Sequence, residues 1–300
     1  MPHQHITHRR YSIGAAVFEA EKCRGGLYVT ATPIGNLRDI TIRALETLAG
    51  VDRVLCEDTR TTGKLLERYG IRTKLSPYHE HNAQKVRPAI LAGLAAGEAI
   101  ALVSDAGMPL VSDPGYKLVA EAIAAGHRVE AIPGASATLT ALALSGLPTD
   151  RFLFAGFLSN KTSERQSALE ELKGIRASLI FFESPHRIVD TLLAVADVMG
   201  ERMVAVSREL TKLHEEVVRG PASEVAAVFS ARPSIKGEIT LVVGPPDAAD
   251  LMASQEDIDA ALRASAEAMP AGQAAADVAR RLGITKKEAY ARLLALKDAS

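Results

Sequence analysis

The sequence is short of the features that mark several specialised classes of protein. It contains only two cysteines, Cys23 and Cys56, which argues against a disulfide-stapled domain and favours a reducing, cytoplasmic location. No apolar run reaches the roughly 18 residues that a membrane-spanning helix needs, so we expect no membrane contact. The formal net charge is −1 at pH 7, and any site for a polyanion therefore has to be local.

The usual signatures of nucleotide, nucleophile and metal sites are missing as well. No GxxxxGK[ST] loop is present, and no GxGxxG turn follows a predicted strand. A GxSxG elbow and a CxxC pair are also absent. The first segment holds His3, His5 and His8, but a histidine cluster in a polar terminal tail is more often incidental than metal-binding. We therefore predict no metal site.

From Gly26 onward the sequence shows a regular alternation of short β-rich runs and helical patterns. Such alternation predicts βαβ units around a mainly parallel sheet. Glycines that follow the helical patterns predict left-handed C-caps at Gly50, Gly70, Gly97 and Gly126.

A second set of elements begins after the Gly-Leu-Pro turn in "SGLPTDRF". Its strands after Met203 lie too close together for a helix between each pair, which predicts an antiparallel portion. The fold class is therefore α/β, with a parallel-sheet domain, a mixed-sheet domain and a small helical C-terminal extension. The predicted boundaries are a loose tail over 1–25, a first domain over 26–147, a second over 148–246 and the extension over 247–300.

The extension contains the spacing of a helix-turn-helix. One helical pattern ends at Gly283, and a second begins after Thr285, a plausible N-cap whose Glu288 sits at the capping-box position. Six basic residues stand against three acidic ones between positions 277 and 298. Lys286 and Lys287 at the start of the second helix are therefore candidates for contact with a nucleic-acid backbone. The alternative is a solvated helical hairpin docked on the body.

Polar loops follow five of the predicted strands, where open α/β sheets place their ligands. They are "TPIGNLRD" (32–39), "CEDTRTTGK" (56–64), "SDAGMPLVSDPG" (104–115), "IPGASA" (132–137) and "FESPHR" (182–187). In the third loop Asp105 is suited to face a ligand while Gly107 lets the backbone approach it. Asp113 before Pro114 is typical of a helix N-cap. Salt bridging and catalysis explain the charges of "EDTRTT" equally well.

The motifs "LYVTATPIGNLRDIT", "LCEDTRTTGKLLERYGI", "LVSDAGMPLVSDPG", "AIPGASA", "FFESPHR" and "GEITLVVGP" occur in this order. Together they resemble the ribosomal RNA small subunit methyltransferase I family of bacteria, which is similar to the tetrapyrrole methylases. The resemblance covers residues 25 to 246 and continues more weakly into the extension. It implies two α/β domains of tetrapyrrole methylase type and S-adenosylmethionine-dependent 2′-O-methylation of a cytidine in 16S rRNA.

The resemblance also implies where the cofactor S-adenosylmethionine lies, in a cleft between the two domains. The residues that it assigns to the cofactor are Pro33, Asp105, Met108, Ala135, Ser136, Phe157, Leu158 and Thr240.

The reaction needs a donor and an acceptor in line and help with a hydroxyl proton of high pKa. We expect Asp58 or Glu183 to act as base or orienter and Arg60 or Arg187 to fix a phosphate. The candidate RNA contacts are Asn36, Arg38, His186, Arg187, Lys286 and Lys287.

Two other functions stay open at this point. A relative of the same fold methylates a carbon of a tetrapyrrole such as uroporphyrinogen, although "EDTRT" and the helical extension argue against it. A second alternative takes the extension as a DNA-reading module and the α/β body as its effector sensor. Because a near-neutral monomer offers little basic surface to rRNA, we also expect a homodimer, which doubles that surface.

Overall fold

The computed structural model describes residues 9–110, 115–247, 255–282 and 284–298. The histidines of the first segment, the predicted N-cap Asp113 and the predicted helix end Gly283 lie outside these residues. Within them, no helix is long and apolar enough to cross a membrane. The same residues hold no group of three or more His, Cys, Asp or Glu side chains placed to bind a metal ion.

The described chain begins with an antiparallel hairpin of β1 (Arg10–Ile13) and β2 (Ala16–Glu19). The loose tail expected at the N-terminus is therefore wrong for this stretch. Tyr11 orders it, because its buried ring stacks on Phe18 with centroids 5.2 Å apart. The Tyr11 hydroxyl donates to Glu46 Oε1 at 3.3 Å, so the hairpin is tied to the first domain.

The first domain contains the predicted parallel sheet. Its strands are β3 (Gly26–Thr30), β4 (Arg53–Cys56), β5 (Lys74–Pro77), β6 (Ala99–Leu102) and β7 (Val129–Ile132). Its helices are α1 (Ile42–Gly50), α2 (Thr59–Arg68), α3 (Glu80–Ala95), α4 (Tyr116–Ala124) and α5 (Ala137–Ser145). The strand order is β5-β4-β6-β3-β7, with all four pairs parallel. The strand-end loops therefore meet at one edge, as the sequence predicts.

The second domain has a mixed sheet. Its strands are β8 (Phe152–Phe157), β9 (Ser178–Glu183), β10 (Met203–Arg208), β11 (Glu216–Pro221) and β12 (Ile239–Val243). Its helices are α6 (Thr162–Leu172), α7 (Ile188–Met199) and α8 (Ala222–Ser230). The order is β11-β10-β12-β9-β8, and only the β8–β9 pair is parallel. The predicted antiparallel portion after Met203 is confirmed.

The last helix of the first domain, α5, packs on the sheet of the second. Ala141 and Leu142 of α5 form one buried cluster with Ile180, Ala205 and Val242, which come from three strands of that sheet. The helices α6, α7 and α8 cover the opposite face of the sheet. Because α5 fills the space that another helix of the second domain would take, the two domains share one core at this helix.

Three of the four glycine caps are confirmed, since Gly70, Gly97 and Gly126 all have positive φ angles. The fourth is wrong: Gly50 is the last residue of α1, and extended Val51 follows it. A Cβ at Gly50 would lie 2.5 Å from the Glu21 carbonyl oxygen. Glycine is needed here because the segment that leads into β3 packs closely against the end of α1.

The C-terminal extension is a three-helix unit of α9 (Gln255–Ala268), α10 (Ala271–Leu282) and α11 (Lys286–Asp298). The predicted capping box is confirmed. The Thr285 N–H donates to Glu288 Oε2 at 2.9 Å, and the Glu288 N–H donates to Thr285 Oγ1 at 3.2 Å. The core of the unit is small and alanine-rich, which brings the helices close together.

Candidate active site

A cavity of about 420 Å³ lies where the loops of the first domain face the sheet of the second. The first domain lines it with Ile34 after β3, with Met108 after β6 and with the start of α5. The second domain contributes the ends of β8 and β9, the start of β12 and Leu210. The cavity has the size of a small-molecule site.

Two loops of the first domain brace each other at the cavity wall. The Thr32 N–H donates to the Gly107 carbonyl at 2.9 Å, and the Gly107 N–H donates to the Thr32 carbonyl at 3.0 Å. Gly107 has a φ of +82°, and a Cβ there would lie 3.2 Å from Ile34 Cγ2. Glycine at this position therefore allows both the left-handed conformation and the close packing of the two loops.

The residues assigned to the cofactor divide into two groups. Those that line the cavity are Met108, Ser136, Phe157 and Thr240. Those that are chain neighbours of a lining residue are Pro33, Asp105, Ala135 and Leu158. The Asp105 carboxylate accepts a hydrogen bond from the Asp58 N–H at 3.2 Å, which joins the loops after β4 and β6. The contacts with the cofactor stay predictions.

Asp58 and Arg60 form an exposed pair at the start of α2. The Asp58 carboxylate caps the helix by accepting from the Arg60 N–H at 2.8 Å, and it also accepts from the guanidinium at 2.8 Å. Side-chain and backbone hydrogen bonds from Arg60 lower the pKa of Asp58 to about 2. The carboxylate is therefore charged at neutral pH and is a weak proton acceptor.

Glu183 ends β9 beside the cavity, with a side chain that is 1% exposed. Its carboxylate accepts from the Thr191 hydroxyl and from the Ser184 N–H, both at 2.7 Å, and Arg187 Nη2 lies 3.4 Å away. The Arg187 guanidinium also donates to the Leu158 carbonyl at 2.6 Å. Glu183 thus holds Arg187, and Arg187 holds the segment that follows β8.

The other predicted RNA contacts lie in two places. Asn36, Arg38 and His186 are exposed in loops that border the cavity. Asn36 accepts from the Arg38 N–H at 3.1 Å, and its own N–H donates to Thr211 Oγ1 at 3.1 Å. Lys286 and Lys287 are exposed at the start of α11 in the extension. The structure therefore does not unite all the candidates in one patch.

The segment between β10 and β11 was missed by the sequence reasoning, although Leu210 lines the cavity. Glu209 and Thr211 flank Leu210 with φ angles of +52° and +66°, a conformation that no glycine signals in this segment. The only hint in the sequence is two glycines elsewhere in the chain, at which a side chain would collide with this segment. A Cβ at Gly35 would lie 2.5 Å from Lys212 Cγ, and a Cβ at Gly237 would lie 2.4 Å from Glu209 Cγ.

Comparison with known proteins shows which fold family the chain belongs to. The family model for Tetrapyrrole (Corrin/Porphyrin) Methylases matches residues 26–226, and the model for the RsmI C-terminal HTH domain matches residues 252–297. The crystal structure of uroporphyrin-III-C-methyltransferase from Thermus thermophilus superposes with a TM-score of 0.53 at 21% identity, covering 74% of this chain and 94% of that one. The chain has the tetrapyrrole methylase fold, which confirms the predicted fold class.

Closer relatives narrow the class to one family. The ribosomal RNA small subunit methyltransferase I of Mesorhizobium japonicum is 52% identical over 96% of this chain and 98% of its own length. The protein of the same name from Erythrobacter litoralis is 50% identical over 93% of this chain and 98% of its own. The chain belongs to the ribosomal RNA small subunit methyltransferase I family, and it is a methyltransferase. These relatives do not favour the tetrapyrrole and sensor alternatives.

We predict that Asp58→Asn removes a pH-dependent part of the stability. Because the pKa of this carboxyl is about 2 in the folded chain and about 3.9 in an unfolded one, its charged form stabilises the fold. That stabilisation is complete above about pH 5 and is lost as the pH falls toward 2. Thermal unfolding should therefore show a wider gap in Tm between wild type and variant at about pH 6 than at about pH 3.

The matched variant is Arg60→Gln, which removes the main cause of the lowered pKa but leaves the capping carboxylate in place. As for Asp58→Asn, the difference in Tm between Arg60→Gln and wild type should become smaller as the pH falls. A gap in Tm that stays constant between these two pH values would contradict the assignment.

Proposed function

We propose that this chain transfers the methyl group of S-adenosylmethionine to the ribose 2′-oxygen of a cytidine in 16S rRNA of the small ribosomal subunit. The observation that carries the proposal is the cavity between the domains, with the loops after β3 and β6 on one side and the sheet of the second domain on the other. The printed names of the relatives support rRNA as the substrate.

The residues around the cavity fit this methyl donor. Ile34 and Leu210 provide apolar surface, and Gly107 adds backbone without a side chain to the wall. Glu183 and Glu238 also reach the wall, but Arg187 and Lys212 pair with them, so the fit rests on the apolar lining rather than on their charge. When bound, the donor supplies an electrophilic methyl group on sulfur.

The reaction breaks the carbon–sulfur bond, forms a carbon–oxygen bond and releases the hydroxyl proton. Asp58 does not line the cavity, but its N–H bonds Asp105 in the neighbouring loop; we assign its ionised carboxylate the role of accepting a hydrogen bond from a ribose hydroxyl and orienting it. Glu183 is already surrounded by three donors, and it acts by positioning Arg187 and the loops around the cavity. The proton leaves to solvent.

Small subunits from cells that lack this methylation provide the test of the function. Incubation with the chain and S-adenosylmethionine should add one methyl group to a cytidine ribose, as mass-spectrometric mapping of the rRNA will show. Glu183→Ala should lower the single-turnover rate by about 10- to 100-fold, because a displaced wall misaligns donor and acceptor. Asp58→Ala should lower it as well.

The matched control is Glu170→Ala, which removes an exposed carboxylate of α6 that pairs with Lys173. It should keep the wild-type rate. Absence of methyl transfer to rRNA by the wild type overturns the proposed function, whereas unchanged rates in both active-site variants overturn only the roles of the two carboxylates.

The extension adds a second contact with rRNA. Lys286 and Lys287 are exposed at the N-terminus of α11, and ammonium groups at a helix-turn-helix turn suit phosphate contacts. We assign contact with the RNA strand that carries the target to Arg38 and His186, which are exposed in loops that border the cavity. Recognition of a cytidine in single-stranded RNA needs base contacts in addition to these charges.

We predict that the double variant Lys286→Ala, Lys287→Ala binds small subunits more weakly. Because fewer counterions are released, the slope of log affinity against log salt should become less negative by about 1 to 2. Filter binding over a salt series measures this slope. Lys173→Ala is the control, and a double variant with the slope of this control would show that the extension does not touch RNA.

We also propose that the chain works in the cytoplasm as a homodimer. Both cysteines are free thiols, in keeping with a reducing compartment, and a second copy doubles the basic surface available to rRNA. Sedimentation at micromolar concentration should give twice the mass of one chain. A monomer under these conditions would refute the dimer.

A further inference from the structure

A β-bulge places Phe157 on the cavity face of the second sheet. In the β8–β9 pair, Phe154 lies opposite Ile180, but Phe157 rather than Gly156 lies opposite Phe182. One extra residue therefore enters β8, and Gly156 supports it with a φ of +69°. Since side chains alternate between the faces of a strand, Phe157 would point to the opposite face without this bulge.

The Phe157 ring is unusually open for an aromatic side chain beside a cavity. It is 60% exposed, and its only described ring contact is with Phe182 at a centroid distance of 5.6 Å. Phe182 in turn meets Phe154 at 4.9 Å. One side of Phe157 is thus supported by an aromatic neighbour while much of the ring is free to bind a planar group.

The segment after Phe157 is held rigidly. Arg187 Nη2 donates to the Leu158 carbonyl at 2.6 Å and to the Ser159 carbonyl at 3.2 Å, and Arg187 also donates to Asn160 Oδ1. Glu183 balances the charge of Arg187. Because the strand bulge holds the backbone on one side of Phe157 and this clamp holds it on the other, the residue is positioned before any ligand binds, which lowers the entropy cost of binding.

The place of Phe157 in the sheet indicates which planar group it meets. β8 is the edge strand, whereas Thr240 and Ile239 on the central strand β12 are buried at the cavity wall. The methyl donor has to be enclosed, so it belongs against the buried wall. The acceptor nucleotide is part of a large RNA and has to enter from solvent, across the edge strand.

We propose that Phe157 is the stacking platform for the nucleobase of the methylated nucleotide. This inference rests on the proposed function and departs from the cofactor contact that the resemblance implied for this residue. Stacking of an unpaired base on one aromatic ring changes affinity by roughly 5- to 150-fold. The bulge therefore positions Phe157. By stacking on an unpaired base, Phe157 selects the nucleotide and keeps the ribose of that nucleotide near the methyl donor.

The experiment compares Phe157→Leu, Phe157→Trp and the control Phe152→Leu. Phe152 is 45% exposed on the same strand and does not line the cavity. Two quantities are measured for each chain: the Kd of S-adenosylhomocysteine by calorimetry, and kcat and KM for unmethylated small subunits. We expect Phe157→Leu to lower kcat/KM by about 5- to 150-fold with the Kd of S-adenosylhomocysteine unchanged within about twofold. Phe157→Trp should retain most of the wild-type kcat/KM because it keeps an aromatic face.

Two results would overturn the platform. An increase in the Kd of S-adenosylhomocysteine that matches the loss in kcat/KM would place Phe157 on the donor. A kcat/KM of Phe157→Leu equal to that of Phe152→Leu would mean that no base stacks there. A wild-type chain that methylates no rRNA is a different result, because it refutes the proposed function before any variant is compared.

Discussion

The packing of α5 on the second sheet is the contact on which the active site depends. Ala141 and Leu142 bury one side of this helix against the strands of the other domain, while its first turn, with Ser136 and Thr138, lines the cavity. A small side chain at position 141 lets the helix approach the sheet closely. The same helix therefore sets the distance between the domains and places its own N-terminus at the wall. A substitution in this packing therefore changes the shape of the cavity even when every residue that lines the cavity stays the same.

The sequence predicts the first half of the site better than the second. In a parallel sheet, strand ends share one edge, so the loops with Met108 and Ser136 could be found from their motifs alone. Leu210 could not, because its segment depends on positive φ angles at Glu209 and Thr211, which arise from tertiary contacts. The bulge at Gly156 was also not predicted, since an isolated glycine in a strand pattern does not fix which residue is displaced.

The carboxylates show why residue type and loop position do not settle a chemical role. Asp58 follows β4 and Glu183 ends β9, each at the end of a strand, and both pair with an arginine. Asp58 stays accessible and strongly ionised, whereas Glu183 is surrounded by donors from its own domain. Burial and the number of donors therefore separate an accessible carboxylate from one that fixes the protein around it.

Charge pairing also explains how a nearly neutral chain can act on RNA. Arg60, Arg187 and Lys212 follow β4, β9 and β10, and each is paired with an acidic neighbour, so they add little net positive field. In the described part of the chain, Lys286 and Lys287 enter no ion pair, and they lie in the separate extension. Under the proposed function, the unpaired lysines of the extension would attract the RNA backbone, and stacking and shape at the cavity would select the nucleotide. This division suits a substrate in which every nucleotide carries the same phosphate charge, because phosphate contacts attract RNA without distinguishing its bases.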